Sequence, residues 1–342
     1  MLLVYNWAMK PPPEHLAYHS LAVSLESSYS RLSALIKKYG TWQRAAEAEL
    51  KSNVQKNSSL AGDIRLILSS DEEFPPLLKE IPLPPLALYV RGELPPPENS
   101  VAVVGTRKAT ESGRETAAEF AEALTSSGLS IISGLAMGID GAAHEGALRS
   151  GKTWGILGNG PDIIYPRTHF ALAGRMLASG GLVSEYPPGT PPLPYRFLER
   201  NRIVSGLCES ILVIEAPESS GALVTARFAL EQNRNVYVLP GPARHPNFRG
   251  SNALIRAGAT LVSSPEEFLA DLGFEPRKAA HLADEDSPET ERILALLEHR
   301  SGPVPIDEII SEAKLSPADA NRILTMLALA GRVREDAGGY TI

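Results

Sequence analysis

Cysteine is almost missing from this chain: Cys208 is the single one in 342 residues. That excludes an intrachain disulfide framework and any zinc site built from several cysteines, and it suits a reducing compartment. Cys208 itself sits in the apolar run RIVSGLCESILVIE and reads as a small buried apolar residue rather than a nucleophile. Long hydrophobic runs are missing too. None approaches the roughly 20 residues of a spanning helix, and the opening MLLVYNWAMK is too short and irregular for a signal peptide, so the expected address is the cytoplasm. Positive charge is not in excess. A net charge of −7 and a pI near 5.6 argue against a protein that coats nucleic acid through its whole surface, while leaving a local basic pocket open. Metal-ligand spacings and nucleophile motifs are lacking, so no metal, cofactor or catalytic residue is assigned. No internal repeat recurs at a fixed period.

What is present divides into stretches of different character, as expected for a chain longer than one typical domain. From Glu14 to about Leu60 apolar residues recur at helical steps, with Leu21, Leu25, Leu32, Leu35 and Ile36 on that pattern. Residues 1–65 are read as a small helical domain. A proline-dense passage follows (Phe74-Pro-Pro, Ile81-Pro-Leu-Pro-Pro, Leu94-Pro-Pro-Pro) and reads as a linker or extended lead-in. From Ser100 short β-branched runs alternate with helical segments: VAVVGT, LSIISGL, TWGILGNG, GLVSEY, SILVIEAP, NVYVLPG and ATLVSS. Each run is apolar on both alternations, the signature of strands covered on both faces in a parallel, doubly wound α/β sheet. That domain is assigned to residues 66–274, with a linker at 275–286. Residues 287–342 read as three helices and a two-stranded wing turning at Gly338-Gly339, a winged-helix module, with Ser287-Pro288 opening the first helix.

GALRSGKT, Gly146 to Thr153, matches the phosphate-loop pattern letter for letter. Its surroundings run helix, turn, strand, the reverse of the order that turns loop amides toward a nucleotide at a helix N-terminus. It is read as a helix stop at Gly151 followed by a strand.

In an open parallel sheet the ligand crevice lies beyond the carboxyl ends of the strands. Those ends carry Gly105, Thr106 and Arg107; Ser133 and Gly134; Gly158 and Gly160; and, after the fifth, Ser220, Gly221 and Thr225. Small residues let backbone amides approach an anion, and hydroxyls add donors. Between the fourth and fifth strands, Phe197 precedes Arg200, Asn201 and Arg202. Two guanidinium forks suit phosphate oxygens, and an aromatic face suits an unpaired base. From Ser100 to Ser264 there are fifteen Lys plus Arg against thirteen Asp plus Glu, whereas Glu275 to Ile342 holds eight against thirteen. An acidic winged helix is a poor holder of DNA, so that unit is expected to contact protein. Two polar pairs are assigned no chemistry. Asp140 and His144, four apart, are read as structural, Asp140 bonding first-turn amides and His144 packed or paired to it. Glu185 and Glu215 are placed where they could approach each other across the crevice.

The ordered blocks FPPLLKEIPLPPLALYVRG, VAVVGTRKAT, SGLAMGIDGAAHEGAL, GKTWGILGNGPDIIYP, FLERNRIVSGL, VIEAPESSGALVTA and NALIRAGATLV resemble the DNA processing protein A family (DprA, also called Smf), over at least Leu66 to Leu272. The resemblance implies an extended Rossmann domain that binds single-stranded DNA, a helical N-terminal domain of helix-hairpin-helix-like descent and a C-terminal winged helix. It also implies self-association through the Rossmann domain, no catalytic activity, and a role as recombination mediator that protects incoming strands and loads the RecA recombinase during natural transformation. Position by position, it places DNA contacts on Gly105, Thr106, Arg107, Ser133, Gly134, Gly158, Gly160, Arg200, Asn201, Arg202, Ser220, Gly221 and Thr225. Lys152 joins them by the same resemblance, and Phe197 becomes the base-stacking residue.

The chain departs from the family pattern in places. Thr106 stands where Ser is commoner, Ser112 where an aromatic residue is usual, and Met137 where a cation is usual, while Glu199 sets an acid beside Arg200. LAVSLESSYSRL lacks the glycines of a phosphate-gripping hairpin, so residues 1–60 are not expected to bind DNA on their own. The competing reading is a Rossmann-like phosphoribohydrolase or nucleotide sensor, whose Pro-Gly-Gly-x-Gly-Thr helix start is missing here. A third reading is a transcription regulator led by the winged helix.

Overall fold

Three helices open the described chain: α1 (Pro13–Ser24), α2 (Tyr29–Tyr39) and α3 (Trp42–Glu49). The computed structural model describes residues 13–50, 62–274, 288–300, 302–329, 332–336 and 338–342. The helical pattern expected to reach Leu60, and the linker expected at 275–286, extend outside those residues. Thr41 caps α3 by accepting from the Arg44 amide, and α2 stops at Gly40 in the left-handed region, its amide bonded to Ile36 O. Leu21 and Leu32 are buried, with Leu25, Leu35 and Ile36 packed around them, as the spacing predicts.

The proline-dense passage is not a linker. It follows β1 (Ile64–Leu68) and contributes the short helix α4 (Pro76–Lys79) and β2 (Ala87–Gly92). The prolines lie between β1 and β2 or, at 95–97, after β2, and none lies within a strand, so they shape the connections and leave the ladder donors intact. Ile64, Leu66 and Leu68 of β1 and Ala87 and Tyr89 of β2 share one core with α1–α3, and the boundary expected after residue 65 falls inside β1.

The alternating region then follows, with β3 (Ser100–Val104), α5 (Glu111–Ser126), β4 (Ser130–Ser133), α6 (Ile139–Ala147), β5 (Thr153–Leu157), α7 (Phe170–Leu177) and β6 (Gly181–Ser184). After these come α8 (Pro194–Gly206), β7 (Ser210–Val213), α9 (Gly221–Glu231), β8 (Asn235–Val238), α10 (Arg249–Arg256), β9 (Thr260–Leu261) and α11 (Pro265–Asp271). All seven predicted strands form. The sheet order is β1-β2-β6-β5-β4-β3-β7-β8-β9, parallel from β6 to β9, with β2 antiparallel on β6 and β1 antiparallel on β2. Strands β3 to β7 are buried along their length, as runs apolar on both alternations require. The edge strand β9 departs from that reading, because Thr260 and Leu261 are both exposed. From β3 the chain winds outward one way through β4, β5 and β6, then returns by α8 to place β7 on the other side of β3. The topological switch point is therefore between β3 and β7, where a crevice must open at the carboxyl edge.

The chain divides into two compact units, residues 1–275 and 276–342. The second contains α12 (Pro288–Glu298), α13 (Ile306–Ala313), α14 (Pro317–Leu329) and the hairpin of β10 (Arg334–Asp336) and β11 (Gly339–Thr341). Ile293, Leu297, Ile309, Ile323, Leu324 and Leu327 form its core. It is the winged helix that the sequence predicts. No helix among the described residues is long and apolar enough to cross a membrane.

Candidate nucleic-acid interface

A cavity of about 390 Å³ opens at the switch point. It is bounded by the ends of β3 and β4, by the loop leading into α9, and by one stripe of α8. Of the residues expected there, Gly105, Thr106, Arg107, Gly134, Phe197, Arg200, Asn201, Ser220, Gly221 and Thr225 line it.

Its floor carries a buried carboxyl and a buried guanidinium, each held by backbone. Asp140, in the first turn of α6, accepts from the amides of Gly134 (3.1 Å) and Ala136 (3.4 Å). Arg200 donates to the carbonyls of Gly134 (2.9 Å) and Ile156. A methyl group at Gly134 would stand 2.5 Å from Arg200 Nη2 and 2.6 Å from Asp140 Oδ2, so only glycine leaves room for both side chains over this strand end. Burial pushes the Asp140 carboxyl up from its ordinary range, against the pull of Arg200 and the two amides. Burial also lowers Arg200 to about 10, with Asp140 opposing that shift. Gly138, at φ +80°, permits the β4–α6 loop to touch the β3–α5 loop; a Cβ there would lie 2.3 Å from Thr106 O.

The mouth is aromatic and cationic. Arg107 is exposed, with its Cζ 5.3 Å from the centroid of the half-buried Phe197 ring. Phe197 also neighbours Tyr165, with ring centroids 5.5 Å apart at 30°. Tyr165 is 44% exposed. Sequence reading passed it over, although an aromatic residue in a loop after a parallel strand was a usable signal. On the far wall α9 begins at Gly221, where a Cβ would meet nothing within 4 Å. Its cap Ser220 accepts from the Ala222 amide, and Asn201 Nδ2 donates to Gly221 O. The wall thus presents first-turn amides and hydroxyls beside two guanidinium groups, a donor set for a phosphate.

Five expected residues do not join the lining. Arg202 forms a buried ion pair with Glu185 at 2.6 Å. The reason is helical: successive residues turn by about 100°, so Arg200 and Arg202 project to different sides of α8. Phe197, Arg200, Asn201 and Val204 share the cavity stripe, whereas Arg202 turns toward the end of β6. Lys152 precedes β5, at the amino edge of the parallel strands, and pairs with Glu93 at 2.9 Å. Ser133 is fully buried and donates to Val103 O. Gly158 provides the surface on which Phe197 rests, since a Cβ there would come 2.9 Å from its ring. Gly160 is buried against Asp162, Pro187 and Gly189.

The polar pairs also resolve. Asp140 bonds the amides of Gly134 and Ala136, in the loop before α6 and not in its first turn as expected, and His144 is not paired to it: its Nδ1 is 2.6 Å from Thr153 Oγ1, and burial lowers its pKa to about 3. Glu185 and Glu215 do not meet. Glu215 is fully buried, accepts from the amide and hydroxyl of Thr110 and from Asn247 Nδ2, and its partners differ from those of Glu185. Glu199 accepts from the Tyr186 hydroxyl at 2.8 Å and so turns away from the cavity stripe. α6 ends at Ala147 with Leu148 as its cap, three residues before the stop expected at Gly151, and GALRSGKT runs from that helix end into β5. Cys208 is fully buried, and burial pushes its thiol upward.

The family model described as DNA recombination-mediator protein A matches residues 65–273, and the DprA winged helix domain matches 269–339. Protein Smf of Escherichia coli (strain K12) is 41% identical over 285 residues, 80% of this chain and 76% of its own length. The DNA processing protein DprA of Bacillus subtilis (strain 168) is 37% identical over 212 residues, 61% of this chain and 71% of its own. Among solved structures, DprA from Streptococcus pneumoniae aligns with a TM-score of 0.59 at 31% identity, over 77% of this chain and 94% of its own. DNA processing protein A from Helicobacter pylori, described as binding single-stranded DNA, aligns with a TM-score of 0.56 at 28% identity, over 61% of this chain and 95% of its own.

Proposed function

This chain belongs to the DNA recombination-mediator protein A family, and from that premise we propose that it binds single-stranded DNA at the switch-point cavity, protects the incoming strand and delivers it to the RecA recombinase during natural transformation. The observation that supports this best is the pairing of donors with an aromatic platform. Buried Arg200 is held in place by the carbonyls of Gly134 and Ile156, and exposed Arg107 lies over Phe197 at the mouth. Phosphate contacts supply affinity, and stacking of an unpaired base on Phe197 supplies the preference for single strands. Neither reads sequence. The protein acts in the cytoplasm without turnover, as a homodimer joined through the Rossmann domain, and its acidic winged helix contacts protein.

A gel-shift titration with oligo-dT and a matched duplex at two salt concentrations tests the reading. Binding should favour the single strand and weaken steeply with salt. Equal or tighter binding of the duplex overturns it. The delivery step is checked separately, by RecA filament assembly on a strand already covered by single-strand binding protein; assembly that this protein does not accelerate overturns that part.

A further inference from the structure

We infer that the strand leaving the cavity is carried onto a second phosphate subsite formed by Lys108, Arg244 and Arg249, on the loops beyond β3 and β8. This extends the single-stranded DNA reading and rests on it.

The geometry comes from Glu215 and Asn247. Asn247 donates through one nitrogen to both Glu215 Oε2 (2.9 Å) and the Lys108 backbone carbonyl (3.0 Å). Glu215 in turn holds Thr110 and, through its own carbonyl, the Thr106 amide at 2.7 Å. One buried carboxylate therefore ties the loop carrying Arg107 and Lys108 to the segment His245–Arg249. Asn247 lies three residues after Arg244 and two before Arg249. On the other side, the Ser251 amide donates to Ala216 O, and Gly250 lies against Ala216, Pro217 and Leu223, which places the start of α10 beside the cavity wall. Strands β3, β7 and β8 are neighbours, so the subsite begins at Lys108, beside Arg107, and reaches about 10 Å, two strand spacings, toward the end of β8.

Its charge is available. Lys108, Arg244 and Arg249 are exposed, and among the described residues none of them is in an ion pair. The nearby acids are mostly committed: Glu215 to Thr110 and Asn247, and Glu111 to Arg114. Glu218, exposed on the loop before α9, is the countercharge on that side. Three unpaired cations on loops locked together, continuous with a phosphate-binding cavity, suit a polyanion that crosses the edge of the sheet.

Anisotropy titration of the full chain with a labelled oligo-dT of about 20 nucleotides, over a range of KCl, tests this. The set comprises wild type, Arg107→Ala, the triple variant Lys108→Ala/Arg244→Ala/Arg249→Ala, and a control triple variant Arg91→Ala/Arg149→Ala/Arg227→Ala. The control removes the same net charge from ion-paired positions away from the carboxyl edge. The edge triple variant should lose about tenfold in affinity, and its salt slope should fall by about 2, while the control changes less than about twofold. Equal losses in the two triple variants, or an unchanged slope in the edge variant, overturn the subsite. An unaffected Arg107→Ala beside a weakened edge triple variant supports the subsite and removes the cavity reading, so the two fail separately.

Discussion

The two edges of the parallel sheet are built from similar residues and put them to different uses. At the amino edge, Arg91 pairs with Asp63, Arg149 with Glu122, Lys152 with Glu93 and Arg234 with Glu80. At the carboxyl edge Arg107, Lys108, Arg244 and Arg249 face solvent without an acidic partner among the described residues, and Arg200 is fixed by two backbone carbonyls, with the buried Asp140 carboxyl opposing the loss of its charge. An acidic protein can thus present a local field for a polyanion, because net charge is a sum and binding depends on where the uncompensated charges stand. The difference teaches that cations near a sheet edge are functional candidates only after their partners are known.

The largest expected effect tests that rule at Arg202. Arg202→Ala leaves Glu185 buried without its partner and should destabilise the α/β unit by about 3–5 kcal/mol, read as a lowered Tm, with single-strand affinity per folded molecule retained. A normal Tm with lost binding would return Arg202 to the interface. Next comes an effect at neither edge mouth. Burial depresses the His144 pKa to about 3, so the unfolded chain takes up a proton below about 6.5 that the folded chain refuses. Stability is therefore full above the unfolded value and is lost as pH falls, by about 1.4 kcal/mol per unit, or about 2 kcal/mol from pH 6.5 to 5. His19, also lowered by burial, acts with the same sign. Chemical denaturation of wild type and His144→Gln across that range should show the variant's stability falling less steeply; parallel curves would contradict the assignment.

Arg107→Ala should cost about tenfold in single-strand affinity, about 1.4 kcal/mol, with Tm unchanged because the side chain is exposed. Unchanged affinity would remove the cationic mouth from the account. The smallest effect is at Lys152, whose partner Glu93 is also exposed. Lys152→Ala should alter stability by less than about 1 kcal/mol, with affinity altered less than about twofold. A large loss of binding would break the contrast between the edges.

Much of the site was legible because strand ends announce themselves. Gly105-Thr106-Arg107, Gly134 and Ser220-Gly221 each follow an apolar run, and the crevice rule says where such ends converge. The misreadings have specific causes. RNR in α8 looks like one cationic cluster when written as a line, but a helix sends its first and third members to different sides. Lys152 stands before its strand rather than after it, so it belongs to the other edge. Tyr165 had no periodic pattern around it, and its ring becomes meaningful only against Phe197.

The sequence by itself determined the alternation of strands and helices, the burial of the central strands, the winged helix and the false phosphate loop, because hydrophobic periodicity, turn residues and element order are local properties of a chain. Only the tertiary structure decided that the proline-dense segment completes the sheet, which arginines are neutralised and which remain free, and that Glu215 locks two loops together. Those outcomes depend on distances between residues far apart in the chain, and pairing energies are set by such distances and by the water excluded around them.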